Sequence, residues 1–303
     1  MVRRTLVALF VSAAVVAALI PGRAQTARQD KFFDSQGVKI RYVDVGHGEP
    51  VVLIHGFSSD LDQNWGNLGT IDRLAADFRV VAFDVRGHGK SDKPHDVASY
   101  GVVVVEDVTR LLDQLNLPKA HIVGYSMGGA ITGKFVALHP DRTISATFGG
   151  SAPRMGWTAQ NEKDSEELAT SLETGHGIRP LILRLSPPGE PPPSEETIAA
   201  RSRATLGRND ALALAAVQRG NKAQVVTLAD VNGWKMPLLA IIGSADPIKA
   251  GVDAFKRVKP ELKVVVLEGA THSGERGAPA RPEFRDALHD FLTLHRAAAT
   301  LAR

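Results

Sequence analysis

Gly124-Tyr125-Ser126-Met127-Gly128-Gly129 stands between an apolar run, residues 120–125, and a run with helical spacing, residues 127–138. The first predicts a strand and the second a helix, so the serine sits where the chain turns sharply from one into the other. Attack on an acyl carbon needs a hydroxyl held clear of the sheet, on a turn so tight that its neighbours must be small. Gly124 and Gly128 supply that room. The helix starting near Met127 directs its N-terminus at the serine, where the backbone dipole favours negative charge. A glycine-rich turn with an incidental serine is the plain alternative, and the strand-to-helix placement argues against it.

Outward from this turn the chain alternates. Strand-like runs fall at 38–45, 50–54, 79–84 and 144–148, and helical spacing at 65–78 and 100–117. Such alternation implies crossover connections and a mostly parallel sheet with helices on both faces. Between 151 and 235 there is no clear strand; helical stretches at 163–172 and 194–206 flank the proline-rich Ser186-Pro187-Pro188-Gly189-Glu190-Pro191-Pro192-Pro193. Prolines there favour an extended, solvated connection. Alternation resumes at 237–242 and 262–267 and closes with a helix over 281–297. The expected organisation is a first core part at 25–150, a helical insertion at 151–235 and a second core part at 236–303.

A serine hydroxyl needs a base. His272, in Gly269-Ala270-Thr271-His272-Ser273-Gly274, follows the strand at 262–267 and so lies at the sheet edge where the serine turn opens. His121 falls inside a strand, His139 ends a helix where it can cap carbonyls, and His289 and His295 lie on the last helix. The base in turn needs a carboxylate to fix its tautomer. Asp246, in Gly243-Ser244-Ala245-Asp246-Pro247, follows the strand at 237–242, and the chain order Ser126, Asp246, His272 suits the arrangement. Helix capping is its alternative role, and Asp253 and Asp230 are the other candidates. The developing oxyanion needs fixed donors. Met127 N–H follows the nucleophile directly, and Phe57 N–H, in His55-Gly56-Phe57, is the choice for the second. The Phe57 ring is then incidental or part of a pocket wall, and His55 is expected to hold the loop.

These residues resemble the α/β-hydrolase superfamily over about residues 31–297, apart from the insertion. His55-Gly56-Phe57, Asp84-Val85-Arg86-Gly87-His88-Gly89-Lys90-Ser91-Asp92 and Gly124-Tyr125-Ser126-Met127-Gly128-Gly129 are similar to its oxyanion loop, its post-strand turn and its nucleophile elbow. The resemblance implies an α/β-hydrolase fold in which the insertion is a helical cap over the pocket. Arg86 to Asp92 is read as structural.

The elbow residue excludes some chemistry. Relatives that open epoxides or displace halides carry an aspartate where this chain has Ser126, and epoxide opening draws on cap tyrosines. The only tyrosines here are Tyr42, Tyr100 and Tyr125, none in the insertion. A serine triad leaves carboxylic esters, lactones, peracid formation, carbon–carbon bond hydrolysis and acyl transfer; a non-catalytic ligand receptor is the rival from another class. Met155, Trp157, Leu168, Leu172 and the run 181–185 offer apolar surface in the insertion, with Trp157 the candidate substrate contact. The expected substrate is a small to medium, largely apolar ester. No cofactor is expected, since no metal-ligand cluster or strand-borne G-x-G-x-x-G occurs.

The formal net charge of +3 does not indicate an acidic partner, because Arg3, Arg4 and Arg23 lie in the first 24 residues, which hold no acidic residue. A near-neutral body argues against nucleic-acid binding. There is no cysteine, which removes disulfides, thiolate nucleophiles and lipoprotein acylation together. Arg3-Arg4, an apolar run at 6–20 and Pro21-Gly22-Arg23-Ala24 have the form of a signal peptide cleaved after Ala24. The run falls short of the roughly 20 apolar residues that span a bilayer. Export to the periplasm or medium without stable membrane association follows, with an uncleaved anchor as the alternative.

Overall fold

Two strands, β5 (Ala120–Tyr125) and β7 (Leu238–Gly243), are buried along their whole length. Their sequences, AHIVGY and LLAIIG, lack the alternation of a half-exposed strand because helices cover both faces of the sheet. The computed structural model describes residues 28–296, so the expected signal peptide at 1–24 lies outside the described residues. The remaining strands are β1 (Lys31–Ser35), β2 (Val38–Val45), β3 (Pro50–Ile54), β4 (Arg79–Phe83), β6 (Thr143–Gly149) and β8 (Lys263–Leu267). They form one 8-stranded sheet in the order β1-β2-β4-β3-β5-β6-β7-β8. The pairs β1–β2 and β2–β4 are antiparallel, and every pair from β4 to β8 is parallel.

The order places the chemistry. The chain runs outward one way from β3 to β4 and the other way from β5 through β6 and β7 to β8. The carboxyl ends of β3 and β5, paired at Ile54 and Gly124, therefore flank the point where the winding reverses. Loops diverge there and leave a crevice, the usual ligand position in open α/β sheets.

Helices α2 (Val102–Gln114) and α3 (Met127–Leu138) bury Val105, Leu112, Ile131 and Phe135 on one face of the sheet. On the other, α1 (Thr70–Ala75) and α10 (Pro282–Leu294) bury Ile71, Leu74, Phe284 and Leu288. Phe255 of α9 (Lys249–Val258) packs edge-on to Phe148 and Trp234. The valine run at 102–105 is helical, as its later apolar spacing predicts. The expected helix over 65–78 is instead a π-helical turn, Asp62–Gly66, followed by the short α1. Gly69 between them has φ +75°, a left-handed conformation that ends one helix and starts another.

The connection from β6 to β7 carries α4 (Ala159–Glu173), α5 (Arg179–Arg184), α6 (Glu195–Leu206), α7 (Ala211–Gly220) and α8 (Leu228–Gly233). They have an apolar centre of their own, including Leu168, Leu172, Ile198 and Leu214. Phe57, in the loop after β3, packs both against this centre and against the core beneath. The proline-rich stretch has no regular structure, apart from a turn closed by Glu190 N–H on Pro187 C=O. No helix among the described residues is long and apolar enough to cross a membrane.

The turn after β4 is held by buried charge. Asp84 accepts the N–H groups of Leu61 and Lys90 at 2.9 and 2.8 Å and the Arg41 guanidinium at 3.2 Å. Arg86 bonds both oxygens of Asp107 at 2.5 and 2.6 Å, with both side chains buried. Without Arg86, buried Asp107 keeps, among the described residues, only Arg110 at 3.4 Å and the Ser35 hydroxyl at 2.5 Å, so losing its two-bond partner costs about 3 kcal/mol. Arg86→Ala is therefore expected to lose about that much stability, read from the midpoint of urea denaturation.

Candidate active site

Ser126 has φ +54° and ψ −113°, outside the regions a serine normally occupies. Three close approaches hold it there. A Cβ on Gly124 would fall 2.0 Å from Gly128 O, and one on Gly128 would fall 2.1 Å from Ile54 O. One on Gly129 would meet Ser151 Oγ at 1.8 Å. Only hydrogen at these positions lets α3 begin against the ends of β3 and β5. Ser126 N–H donates to Gly149 O at 2.8 Å, and Gly129 N–H returns to Ser126 O at 2.9 Å. The serine side of the turn stays partly exposed while its neighbours are buried.

The loops after β7 and β8 bring the other two residues to it. Ser126 Oγ lies 2.9 Å from His272 Nε2, and His272 Nδ1 lies 2.8 Å from Asp246 Oδ2. Asp246 and His272 are both buried. With the serine donating at one ring nitrogen and the carboxylate accepting at the other, the imidazole is the Nδ1–H tautomer. The remaining Asp246 oxygen accepts Ile248 N–H at 2.9 Å in the turn before α9, a helix whose N-cap is Ile248 and which has no side-chain cap. The helix-cap role expected as the alternative for Asp246 is therefore not the one it takes. Tyr125, adjacent to the serine, was not singled out by the sequence. Its hydroxyl donates to His272 C=O at 2.5 Å, and burial raises its pKa well above the usual phenol value, keeping it a donor. Trp65 packs edge-on against the Tyr125 ring at 6.3 Å.

Beside the elbow, a Cβ on Gly56 would meet Ser126 Cβ at 3.3 Å. Neither Phe57 N–H nor Met127 N–H donates to an acceptor among the described residues; Met127 directly follows the serine, and Phe57 follows Gly56. His55 holds this loop: Nδ1 bonds Gly56 O at 2.7 Å, and Nε2 accepts Val85 N–H at 2.9 Å. Burial pushes its pKa down, so it stays neutral. Next to it, burial and the His55 ring push His88 down to about 3.

The other candidates are held elsewhere. His121 bonds Ser145 Oγ at 2.6 Å inside the sheet. His139 meets the Glu106 carboxylate at 2.9 Å rather than capping carbonyls, and His289 meets Asp77 at 2.9 Å. Asp253 pairs with Lys249, and Asp230 caps α8 through Thr227. Trp157 lies before α4, where its N–H donates to Glu162 and the Arg154 guanidinium sits 5.1 Å from its ring centre. Neither contact joins it to Ser126. No group of three or more metal-ligating side chains occurs among the described residues.

Residues 49–174 match the family model described as alpha/beta hydrolase fold. The solved structure of a thermophilic esterase from Thermogutta terrifontis superposes with a TM-score of 0.71 at 20% identity, over 89% of this chain and 99% of that one. Over residues 49–174 the chain matches that family, and its fold is the α/β-hydrolase fold. Among curated relatives, the dihydrolipoyllysine-residue acetyltransferase component of the acetoin cleaving system of Cupriavidus necator is 35% identical, over 52% of this chain and 44% of its own length. The 2-hydroxy-6-oxo-6-(2'-aminophenyl)hexa-2,4-dienoic acid hydrolase of Metapseudomonas resinovorans is 31% identical, over 56% of this chain and 58% of its own length. The chain thus spans about half the length of these curated relatives. The contacts at Gly128 give the superfamily elbow a direct test. Gly128→Ala forces a methyl onto a main-chain carbonyl that cannot rotate away, so it is expected to cost about 2 kcal/mol. The drop is read by thermal unfolding.

Proposed function

We propose that the protein is a serine hydrolase that cleaves a small to medium, largely apolar carboxylic ester through an acyl-enzyme intermediate. The observation that carries this reading is the unbroken line from Asp246 Oδ2 through His272 to Ser126 Oγ, at 2.8 and 2.9 Å, ending on a strained, partly exposed serine. His272 Nε2 takes the Ser126 proton as Oγ attacks the ester carbonyl, and Asp246 stabilises the imidazolium. The oxyanion accepts from Phe57 N–H and Met127 N–H at the N-terminus of α3. His272 then protonates the departing alcohol, and a water activated by the same ring releases the acid.

We read α4 to α8 as a cap over this site. Its apolar centre meets Phe57 at the loop that carries the second oxyanion donor, which favours an apolar acyl group. Hydrolysis of p-nitrophenyl esters from acetyl to dodecanoyl tests the proposal. Ser126→Ala is expected to lower kcat by about 10⁴ or more, since only oxyanion binding survives. Asp246→Asn, which leaves the wrong tautomer, is expected to lower it by about 10⁴. Full activity in the Ser126 variant overturns the assignment.

A second reading, carbon–carbon bond hydrolysis, is favoured by the 31% identity to the Metapseudomonas resinovorans hydrolase. A wild type that turns over vinylogous diketones and leaves the ester series untouched would put that reading first. Export is proposed from Arg3-Arg4 and the apolar run at 6–20. Expression of the full chain is expected to yield a protein beginning at Gln25 outside the cytoplasm, identified by fractionation and N-terminal sequencing. A cytoplasmic product that begins at residue 1 or 2 overturns it.

A further inference from the structure

The peptide that offers Phe57 N–H is bracketed by two asparagines from different parts of the chain. On the core side, Asn64 Oδ1 accepts Gly56 N–H at 2.8 Å. Asn64 is buried in the π-helical turn Asp62–Gly66, and Trp65 beside it packs on Tyr125. π-helical turns are uncommon and gather at functional sites. Its Nδ2 is buried with no partner among the described residues, an arrangement kept at a cost in stability. On the other side, Asn209 lies on the turn between α6 and α7. Its Nδ2 donates to Ser58 O at 3.2 Å and to Thr205 O at 3.0 Å, at the end of α6.

Between these bonds the chain makes a tight turn, closed by Ser59 N–H on Gly56 O at 3.3 Å. Ser58 is its third residue and has φ +56°, a position that favours glycine. A serine holds that conformation only where its surroundings impose it. We propose that Asn64 and Asn209 are positioning residues that clamp residues 56–58 and thereby aim Phe57 N–H at the oxyanion. The core supplies one jaw and the β6–β7 helices the other. The second oxyanion donor is then in place only when those helices are seated. The proposal rests on the serine-hydrolase reading, and it predicts a defect in turnover rather than in substrate affinity.

The test uses the full chain as Asn209→Leu, Asn209→Leu with Ser58→Gly, and Asn64→Leu. Asn209→Leu is expected to lower kcat for p-nitrophenyl butyrate, and the rate of Ser126 phosphonylation by a fluorophosphonate, by about 30-fold. Removing a whole donor costs 10²–10³, and misaiming one costs part of that. KM should stay within about twofold, because no substrate contact is removed. Ser58→Gly should restore most of the loss, since glycine adopts the turn without being held. Wild-type kcat in Asn209→Leu overturns the clamp, as does a loss that Ser58→Gly leaves unchanged. Asn209 sits on a half-buried turn, so its variants decide the matter even where Asn64→Leu does not fold. In a [15N]Phe-labelled sample the Phe57 amide signal should move in Asn209→Leu while the other phenylalanine amides stay in place. An unmoved Phe57 signal overturns the clamp whatever the activity. A wild type inert to both reagents defeats the serine-hydrolase reading, and the Phe57 signal still decides the clamp.

Discussion

The first turn of α3 rests on the carbonyl of Ile54 with no space for a methyl group between them. That contact fixes where the helix starts relative to the end of β3, and with it two things at once. It makes the serine turn sharp, because the chain leaving β5 must reverse within a single residue to place Gly128 there. It also sets the loop after Ile54 beside the helix N-terminus, so that Gly56 comes up against Ser126. Hydrogen bonds then hold a geometry that packing has already imposed.

The same device recurs two strands away. A Cβ on Gly243, the last residue of β7, would fall 2.0 Å from Ala270 O in the loop after β8. Ser244 N–H bonds Leu267 O at 3.0 Å and Ala245 N–H bonds Ala270 O at 3.0 Å, so the two loops leave the sheet as one unit. Asp246 and His272 inherit their 2.8 Å contact from that pairing. A glycine pressed on a main-chain carbonyl thus appears beside Ser126 and again beside Asp246 and His272. Side chains there are positioned by backbone contacts, which cannot shift by rotating a bond.

This explains what could be read in the sequence. Strand-like runs ending in glycine-bearing loops report backbone contacts, and those contacts place Ser126, Asp246 and His272; all three were legible. The continuous apolar runs of β5 and β7 were legible because burial on both faces removes alternation. β1 was not seen, because at the sheet edge it pairs on one side only and its KFFDS sequence carries no clean period. The helix expected over 65–78 failed because periodicity cannot show a reversal that depends on the sign of φ at Gly69. Alanine-rich α7 also escaped, since ALALAAVQRG has little polar face to mark its period. Asn64 and Asn209 carried no signal at all: an asparagine in a loop looks the same whether its amide meets water or another loop.

The two halves of the site differ in what supports them. Ser126, His272 and Asp246 stand on strands and loops locked by main-chain contact. Residues 56–58 stand on side chains: His55 and Asn64 below, Asn209 and the apolar surface packed on Phe57 above. Side-chain support is softer, because each bond depends on a rotamer and on the element that carries it. In the proposed mechanism, then, the proton-transfer line is the rigid half and the charge-stabilising half the adjustable one. That division lets the β6–β7 insertion change without disturbing the contact between Ser126, His272 and Asp246. On the proposed function, the acyl group admitted and the strength of the oxyanion site would both be set by the packing around Phe57.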